Sequence, residues 1–430
     1  MSIADGFDLL SQLDAQSFVL LFWYTVLLEL PRYGFAALVA AGISIANRDW
    51  SPHRSAGDDG KHRVISVLIP CHNEAAALRR SALSARDQIQ LGLNTKIEIV
   101  VIDDGSTDGT RSVANTLKNE GLVDRVLSVE IRGGKSAAIN LGIEYSTGDV
   151  VLITDADTTF DRYAFQAMLA KFSDPLVGAV SGNLYARNAN ATAVSRYQAL
   201  EYLVSISLGR RIMNMLDTLF VVSGAFGAFR RQALISIGGY DAEVGEDADL
   251  TARLRRAGWK VRFAPNAWSL TDVPETVLAL VNQRLRWERA VVTIWVRKFR
   301  SVFDPRSRSF SLIDAIGVFD ILFYQIVLCI SFLVYAAWLF ATFGQAAFVI
   351  LAAATAIYIG AQLCLFLIAL AISAPYGSIR LLPYVPLFAI ANGYVMRFIR
   401  LYAYIDELVF RRSYQDPYVP ERVRRGMERL

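Results

Sequence analysis

The chain is predicted to fold as an α/β domain built on a parallel sheet and set between membrane-spanning helices. Three observations carry this expectation. The 430 residues are 54% hydrophobic with a mean hydropathy of +0.34, too apolar for an ordinary soluble protein. The apolar residues gather in two blocks, Ser17 to Ala46 and Leu312 to Phe410. Between the blocks, short β-rich runs stop at turn residues that open helices, the rhythm of a parallel α/β sheet.

The first block is about 30 residues long, more than the roughly 20 that cross a bilayer. It reads as one kinked span interrupted at Glu29, Pro31 and Arg32, with a short hairpin as the weaker alternative. Asp5, Asp8 and Asp14 precede it without any Lys or Arg, whereas Arg48, His53, Arg54, Lys61 and Arg63 follow. That bias puts the N-terminus outside and the next region in the cytoplasm, and the lack of a basic leader makes the block an anchor, not a cleaved signal. In the second block, Gly344 and the Ser373–Ile379 stretch separate three spans near 312–342, 345–373 and 382–405. Three spans would leave the tail outside, yet it holds Arg411, Arg412, Arg422, Arg424 and Arg425, so charge bias argues for one re-entrant or interfacial element. The resulting partition is an anchor at 1–49, a cytoplasmic domain at 50–275, an interfacial helix region at 276–310, transmembrane helices at 311–410 and a basic tail at 411–430.

Cys71, Cys329 and Cys364 imply neither a disulfide framework nor a zinc site. A net charge of +4 is small for this length, and Arg284, Arg286, Arg289, Arg297 and Arg300 sit beside apolar residues. That suits a lipid bilayer surface and argues against nucleic acid.

Within the domain, Val64–Pro70 and Ile97–Ile102 read as strands, the second running into Asp103-Asp104-Gly105-Ser106. Ligands of such sheets bind at the carboxyl ends of strands. Two acids there read either as helix caps or as ligand contacts. Gly133-Gly134-Lys135 opens another helix, where a helix N-terminus and a Lys make a phosphate site, or else a solvated turn. Val150–Thr154 ends in Asp155-Ala156-Asp157, two hard oxygen donors suited to Mg²⁺ or Mn²⁺. Gly245-Glu246-Asp247 reads as an acidic helix start. Thr276–Arg300 and Arg196–Arg211 read as amphipathic helices at the membrane surface.

Ile69-Pro70-Cys71-His72-Asn73-Glu74, Val101-Ile102-Asp103-Asp104-Gly105-Ser106, Gly134-Lys135-Ser136-Ala137-Ala138-Ile139-Asn140, Asp155-Ala156-Asp157, Gly245-Glu246-Asp247 and Gln283-Arg284-Leu285-Arg286-Trp287 stand in the order of the family-2 inverting glycosyltransferases. The chain resembles their membrane-integrated processive branch, the cellulose, chitin, hyaluronan, poly-N-acetylglucosamine and chitin-oligosaccharide synthases. The resemblance runs from about residue 64 to 290. It implies a GT-A-like nucleotide-sugar domain in a bacterial inner membrane that extends a β-linked glycan from a UDP-sugar donor. UDP-N-acetylglucosamine is placed ahead of UDP-glucose.

The same resemblance assigns Asp103, Asp104, His72, Lys135 and Asp155 to the donor, Asp155 together with Asp157 to the Mg²⁺ or Mn²⁺ ion on its diphosphate, and Asp247 to the general base. Gly224 falls in the loop beneath the glycan acceptor, where a plain tight turn explains it equally well. Gln283, Arg286 and Trp287 fall on the acceptor or product, with a lipid anchor as the alternative. Arg397 and Arg400 face either a polymer path or the bilayer interface. The tail is too short for an appended cyclic-nucleotide-binding domain, so regulation by such a ligand would need a partner chain, and export falls to the spans or to a partner. The rival readings are a single-sugar transferase acting on a polyprenyl-phosphate and a non-catalytic glycan-export subunit.

Overall fold

The computed structural model describes residues 1–46, 63–88, 95–373, 377–415 and 420–421. The charge expectations placed on Arg48, His53, Arg54, Lys61, Arg422, Arg424 and Arg425 lie outside these residues.

Eight strands form one sheet: β1 (Arg63–Cys71), β2 (Thr95–Asp104), β3 (Arg125–Val129), β4 (Val150–Thr154), β5 (Thr159–Phe160), β6 (Val177–Ala186), β7 (Phe226–Arg230) and β8 (Lys260–Thr271). Their order is β3-β2-β1-β4-β7-β6-β8-β5. β1 lies parallel to β2 and β4, with Cys71 opposite Asp103, so the strand ends that carry the motifs sit side by side. Every residue of β4 is buried, which is why its sequence is continuously apolar instead of alternating. Odd and even positions serve opposite faces. Ile65, Val67 and Ile69 pack with Leu78 and Ala82 of the helix Ala75–Arg86. Leu68, Val100 and Ile102 pack with Ala138 and Ile139 of the helix Lys135–Tyr145. Each fully buried side chain of this size contributes about 1.5–3 kcal/mol.

The parallel arrangement expected of the strands read from sequence holds for β1, β2 and β4, and beyond β4 the sheet becomes mixed. β7 inserts antiparallel between β4 and β6, and β5 pairs antiparallel with β8. β7 lies more than 70 residues beyond β4 in the chain, so no local pattern announces that pairing.

Among the described residues, three helices that follow the domain are long and apolar enough to cross a membrane: Leu312–Phe343, Ala346–Ile372 and Ile379–Phe410, with mean hydropathies of 2.3, 2.2 and 1.3. At the N-terminus, Ala15–Leu21 and Tyr24–Ala36 meet at 82°. The kink therefore falls at Phe22–Trp23, not at Glu29–Arg32 as the sequence suggested. Pro31 follows directly on the π-helical segment Tyr24–Glu29, inside a helix that runs on without a sharp bend through Ala36. Ala193–Glu201 leads through a π-helical segment, Tyr202–Leu208, into Gly209–Met215. The helix Val277–Val291 likewise continues as a π-helix, Val292–Lys298. Thr276 caps its start, its hydroxyl accepting from the Ala279 N–H at 3.3 Å.

Candidate active site

The acids at the end of β2 have separate partners. Asp103 is fully buried and accepts from the Ser106 N–H at 3.1 Å and from Arg111 Nε at 2.9 Å. Burial pushes its carboxyl up, but the Ser106 and Arg111 donors outweigh this and hold it below the usual range. Asp104 accepts from the Gly133 and Gly134 N–H groups at 2.6 and 2.8 Å, pinning the glycine loop to the strand end. His72 Nδ1 lies 2.9 Å from the Asp104 carbonyl, an arrangement that places a proton on that nitrogen. The sequence reading missed Asn73. It adopts a left-handed backbone, φ 60°, and its side-chain oxygen accepts from the Thr107 N–H at 2.8 Å, which joins the β1 and β2 loops.

Beyond β4 the charges converge. Lys135 Nζ lies 2.5 Å from Asp155 and 3.9 Å from Glu246, and these side chains remain 34%, 38% and 24% exposed, so they line a crevice that water reaches. Burial disfavours the Lys135 charge, yet Asp155 and Glu246 overcome it and hold the group above the usual lysine range. Burial, followed by repulsion from Asp155, raises Asp157. Glu74 is raised by burial and by Asp157 and Asp155. Glu246 is raised chiefly by burial, with Asp247 adding to it against Lys135. Negative charge is in surplus here.

That surplus fits a cation. Among the described residues no three His, Cys, Asp or Glu groups are gathered to hold a metal. Asp155 and Asp157 supply hard oxygens suited to Mg²⁺ or Mn²⁺ only if a ligand's phosphates complete the shell.

Asp247 opens the helix Glu246–Arg256, and its carboxylate accepts from the Ala248 N–H at 2.8 Å. Its carbonyl accepts from Thr251 Oγ1 at 2.6 Å, and that hydroxyl accepts from the Val222 N–H at 3.0 Å, tying the helix to the loop before Gly224. A Cβ on Gly224 would stand 3.0 Å from Lys135 Nζ and 3.8 Å from Glu246 Oε1, so only glycine leaves that space open. Arg210, also missed from sequence, donates to Ser181 Oγ at 2.9 Å. Burial draws its guanidinium down to about 10, against the pull of Asp247.

The helix bearing Gln283, Arg286 and Trp287 passes directly over this turn. Gly245 has φ +82°, and a Cβ there would meet Ala290 Cβ at 2.6 Å. Arg284 pairs with Glu201 at 2.5 Å and lies 4.3 Å over the Trp287 ring, which is 42% exposed. The Gln283 Oε1 atom is buried with no hydrogen-bond partner among the described residues. Lys298 joins the two helices, 2.7 Å from the buried Asp249 and 2.8 Å from Asp241. The structure thus gathers Lys135, Asp155, Gly224 and Glu246 around the Asp247 turn, with Asp157 near them. Asp104 and His72 bound the adjacent glycine loop, and Asp103 is engaged one layer behind.

Residues 66–238 match the family model "Glycosyl transferase family 2". The poly-beta-1,6-N-acetyl-D-glucosamine synthase of Staphylococcus epidermidis is 30% identical over 273 residues, covering 63% of this chain and 65% of its own. That of Staphylococcus aureus (strain COL) is 29% identical over 268 residues, covering 61% and 63%. The match spans less than two thirds of these relatives' length. A solved mannosyltransferase, PcManGT from Pyrobaculum calidifontis in complex with GDP-Man and Mn²⁺, shares the fold with a TM-score of 0.62 at 19% identity, over 90% of this chain and 99% of that one. The resemblance drawn from the ordered motifs is borne out over residues 66–238, the stretch that carries the glycine loop, Asp155 and Asp157 and matches the glycosyl transferase family 2 model; Glu246 and Asp247 lie beyond that stretch.

Proposed function

We propose that the protein is a membrane-embedded inverting glycosyltransferase that moves a sugar from a UDP-sugar onto the growing end of a β-linked glycan. UDP-N-acetylglucosamine stands ahead of UDP-glucose as donor, supported by the relatives' names. One observation carries the reading: the part-exposed Lys135–Asp155 pair stands against Glu246 and the Gly224 loop, at the start of the Asp247 helix, whose Gly245 turn packs against Ala290 of the helix that bears the exposed Trp287.

His72 lies against the nucleoside, and Asp104 shapes the donor site by holding the Gly133 and Gly134 amides. Asp103 serves that site from behind, through Ser106 and Arg111. Lys135 pairs with the diphosphate. Asp155 and Asp157 would hold Mg²⁺ or Mn²⁺, which when bound offsets charge on the departing nucleoside diphosphate. Asp247 accepts the proton of the acceptor hydroxyl as that oxygen bonds to the anomeric carbon and the bond to the diphosphate breaks. A single displacement of this kind turns an α-linked donor into a β-linked product. Trp287 stacks on the acceptor ring, the unpartnered Gln283 Oε1 accepts from a sugar hydroxyl, and Arg286 contacts the diphosphate. The domain faces the cytoplasm at the inner membrane, with export left to the spans or to a partner chain.

The test is UDP release from purified protein given Mg²⁺ or Mn²⁺ and each UDP-sugar in turn. Release with UDP-N-acetylglucosamine, lost on chelation, supports the reading. No release with any donor favours a non-catalytic export subunit, and a single sugar delivered to polyprenyl-phosphate favours the lipid-acceptor alternative.

A further inference from the structure

The last apolar helix, Ile379–Phe410, is held by the domain at several points along its length, and between them Arg397 pairs with Glu29 while Tyr394 lies against Thr355 and Phe332 of the other apolar helices. Before it, Arg211 donates to the Ile372 carbonyl at 3.2 Å, and the hydroxyls of Ser207 and Ser373 lie 2.8 Å apart. Along it, the Arg196 guanidinium sits 5.1 Å over Tyr384, and the Tyr197 hydroxyl donates to Asn392 at 2.8 Å. Arg400 and Tyr404 donate to Glu288 at 2.9 and 2.6 Å, and Arg289 donates to Asp406 at 2.7 Å. Arg297 pairs with Glu407. Beyond it, Pro420 Cδ lies 3.1 Å from where a Gly134 Cβ would stand.

These contacts decide the topology. Ile372 and Pro420 both touch the domain, so the chain between them crosses the bilayer an even number of times, and among the described residues one helix long enough to cross lies between them. Leu312–Phe343 behaves differently. It starts at the Asp314–Arg255 pair and ends beside the N-terminus, where the Gln345 N–H donates to the Met1 carbonyl at 3.2 Å. The last helix is also the least apolar of the three, 1.3 against 2.3 and 2.2. Over Met396–Phe410 the charged residues Arg397, Arg400, Asp406 and Glu407 turn inward, while Phe398, Tyr402, Ile405 and Val409 are exposed, the division expected of a helix lying in an interface.

We infer that Ile379–Phe410 does not cross the membrane: it is a strap across the membrane face of the domain that returns the C-terminal segment to the domain's side and positions the Gln283–Trp287 helix. Glu288, next to Trp287 and 9% exposed, is the positioning residue, since Arg400 and Tyr404 both close on it. Arg411 and Arg412 then follow on the domain side, which removes the conflict with the charge bias.

The topology is tested with full-length fusions carrying green fluorescent protein or alkaline phosphatase after Leu430 or within the Gly344–Gln345 turn. The expected result is fluorescence and no phosphatase activity at the C-terminus, with the reverse at the turn. Phosphatase activity at the C-terminal fusion overturns the strap. This arm is independent of the glycosyltransferase reading, on which the positioning role rests. For that role, Glu288→Gln and Arg400→Gln are expected to raise the acceptor KM about fivefold and shorten the product while the donor KM stays within about twofold. The exchange Glu288→Arg with Arg400→Glu restores product length, and Tyr404→Phe gives a milder form of the same shift. Equal losses in donor and acceptor parameters, without rescue by the exchange, overturn the positioning role.

Discussion

Replacing Gly224 by Ala places one methyl group between Lys135 and Glu246. The new Cβ would stand 3.0 Å from Lys135 Nζ, and the atom that must yield is the far end of a flexible side chain. A retreat of a few tenths of an ångström lengthens the Lys135–Asp155 contact from 2.5 Å toward about 3 Å. At an effective dielectric near 20, that change is worth about 1 kcal/mol, and less for groups as exposed as these. The fold therefore holds, and the melting temperature in detergent moves little. Catalysis is more sensitive, since a misplacement of about 1 Å costs up to about 10²-fold. The expected result is a kcat lowered about 10- to 100-fold with UDP affinity within about threefold, read by continuous UDP release and by titration of UDP. Turnover within about threefold of wild type would refute the claim that the space over Gly224 is where the acceptor reacts.

Three further outcomes follow from the same geometry. Asp247→Asn keeps the acceptor for the Ala248 N–H, so it should lower kcat by about 10²–10⁴ and leave UDP binding unchanged by titration. Asp104→Ala frees the Gly133 and Gly134 amides from two charge-assisted bonds of about 1.5–3 kcal/mol each, so the donor KM should rise at least about tenfold in initial-rate assays. Arg111→Met removes a donor that holds the Asp103 carboxyl below its ordinary value, a stabilisation present above the unfolded pKa and lost as pH falls through the folded one. Because Arg111 stands at the surface, the loss near neutral pH is small, and the gap in melting temperature to wild type should narrow as pH falls below about 4.

The sequence disclosed those parts of the fold and site that are written locally. β4 is visible because each of its residues is buried and its last residue meets Asp155. The helix at Lys135 is visible because glycines precede it. The sequence did not separate Asp103 from Asp104, because their partners Arg111, Gly133 and Gly134 come from different elements. Glu246, Arg210 and Lys298 looked like surface charges, and only tertiary packing brings them to the crevice or to Asp249. Non-local pairing also explains the unforeseen antiparallel β7 and the bend at Phe22–Trp23, where Tyr24 stacks on Tyr335 at 5.5 Å.

The central claim is one in-line displacement with Asp247 as base, repeated on a growing chain. It is tested most directly by incubating the purified protein with α-linked UDP-N-acetylglucosamine and measuring the product's mass and the coupling of its anomeric protons. The account predicts a ladder of masses one sugar apart with β-anomeric couplings throughout, absent from Asp247→Asn. An α-linked product, or one that never exceeds a single added sugar, would contradict it.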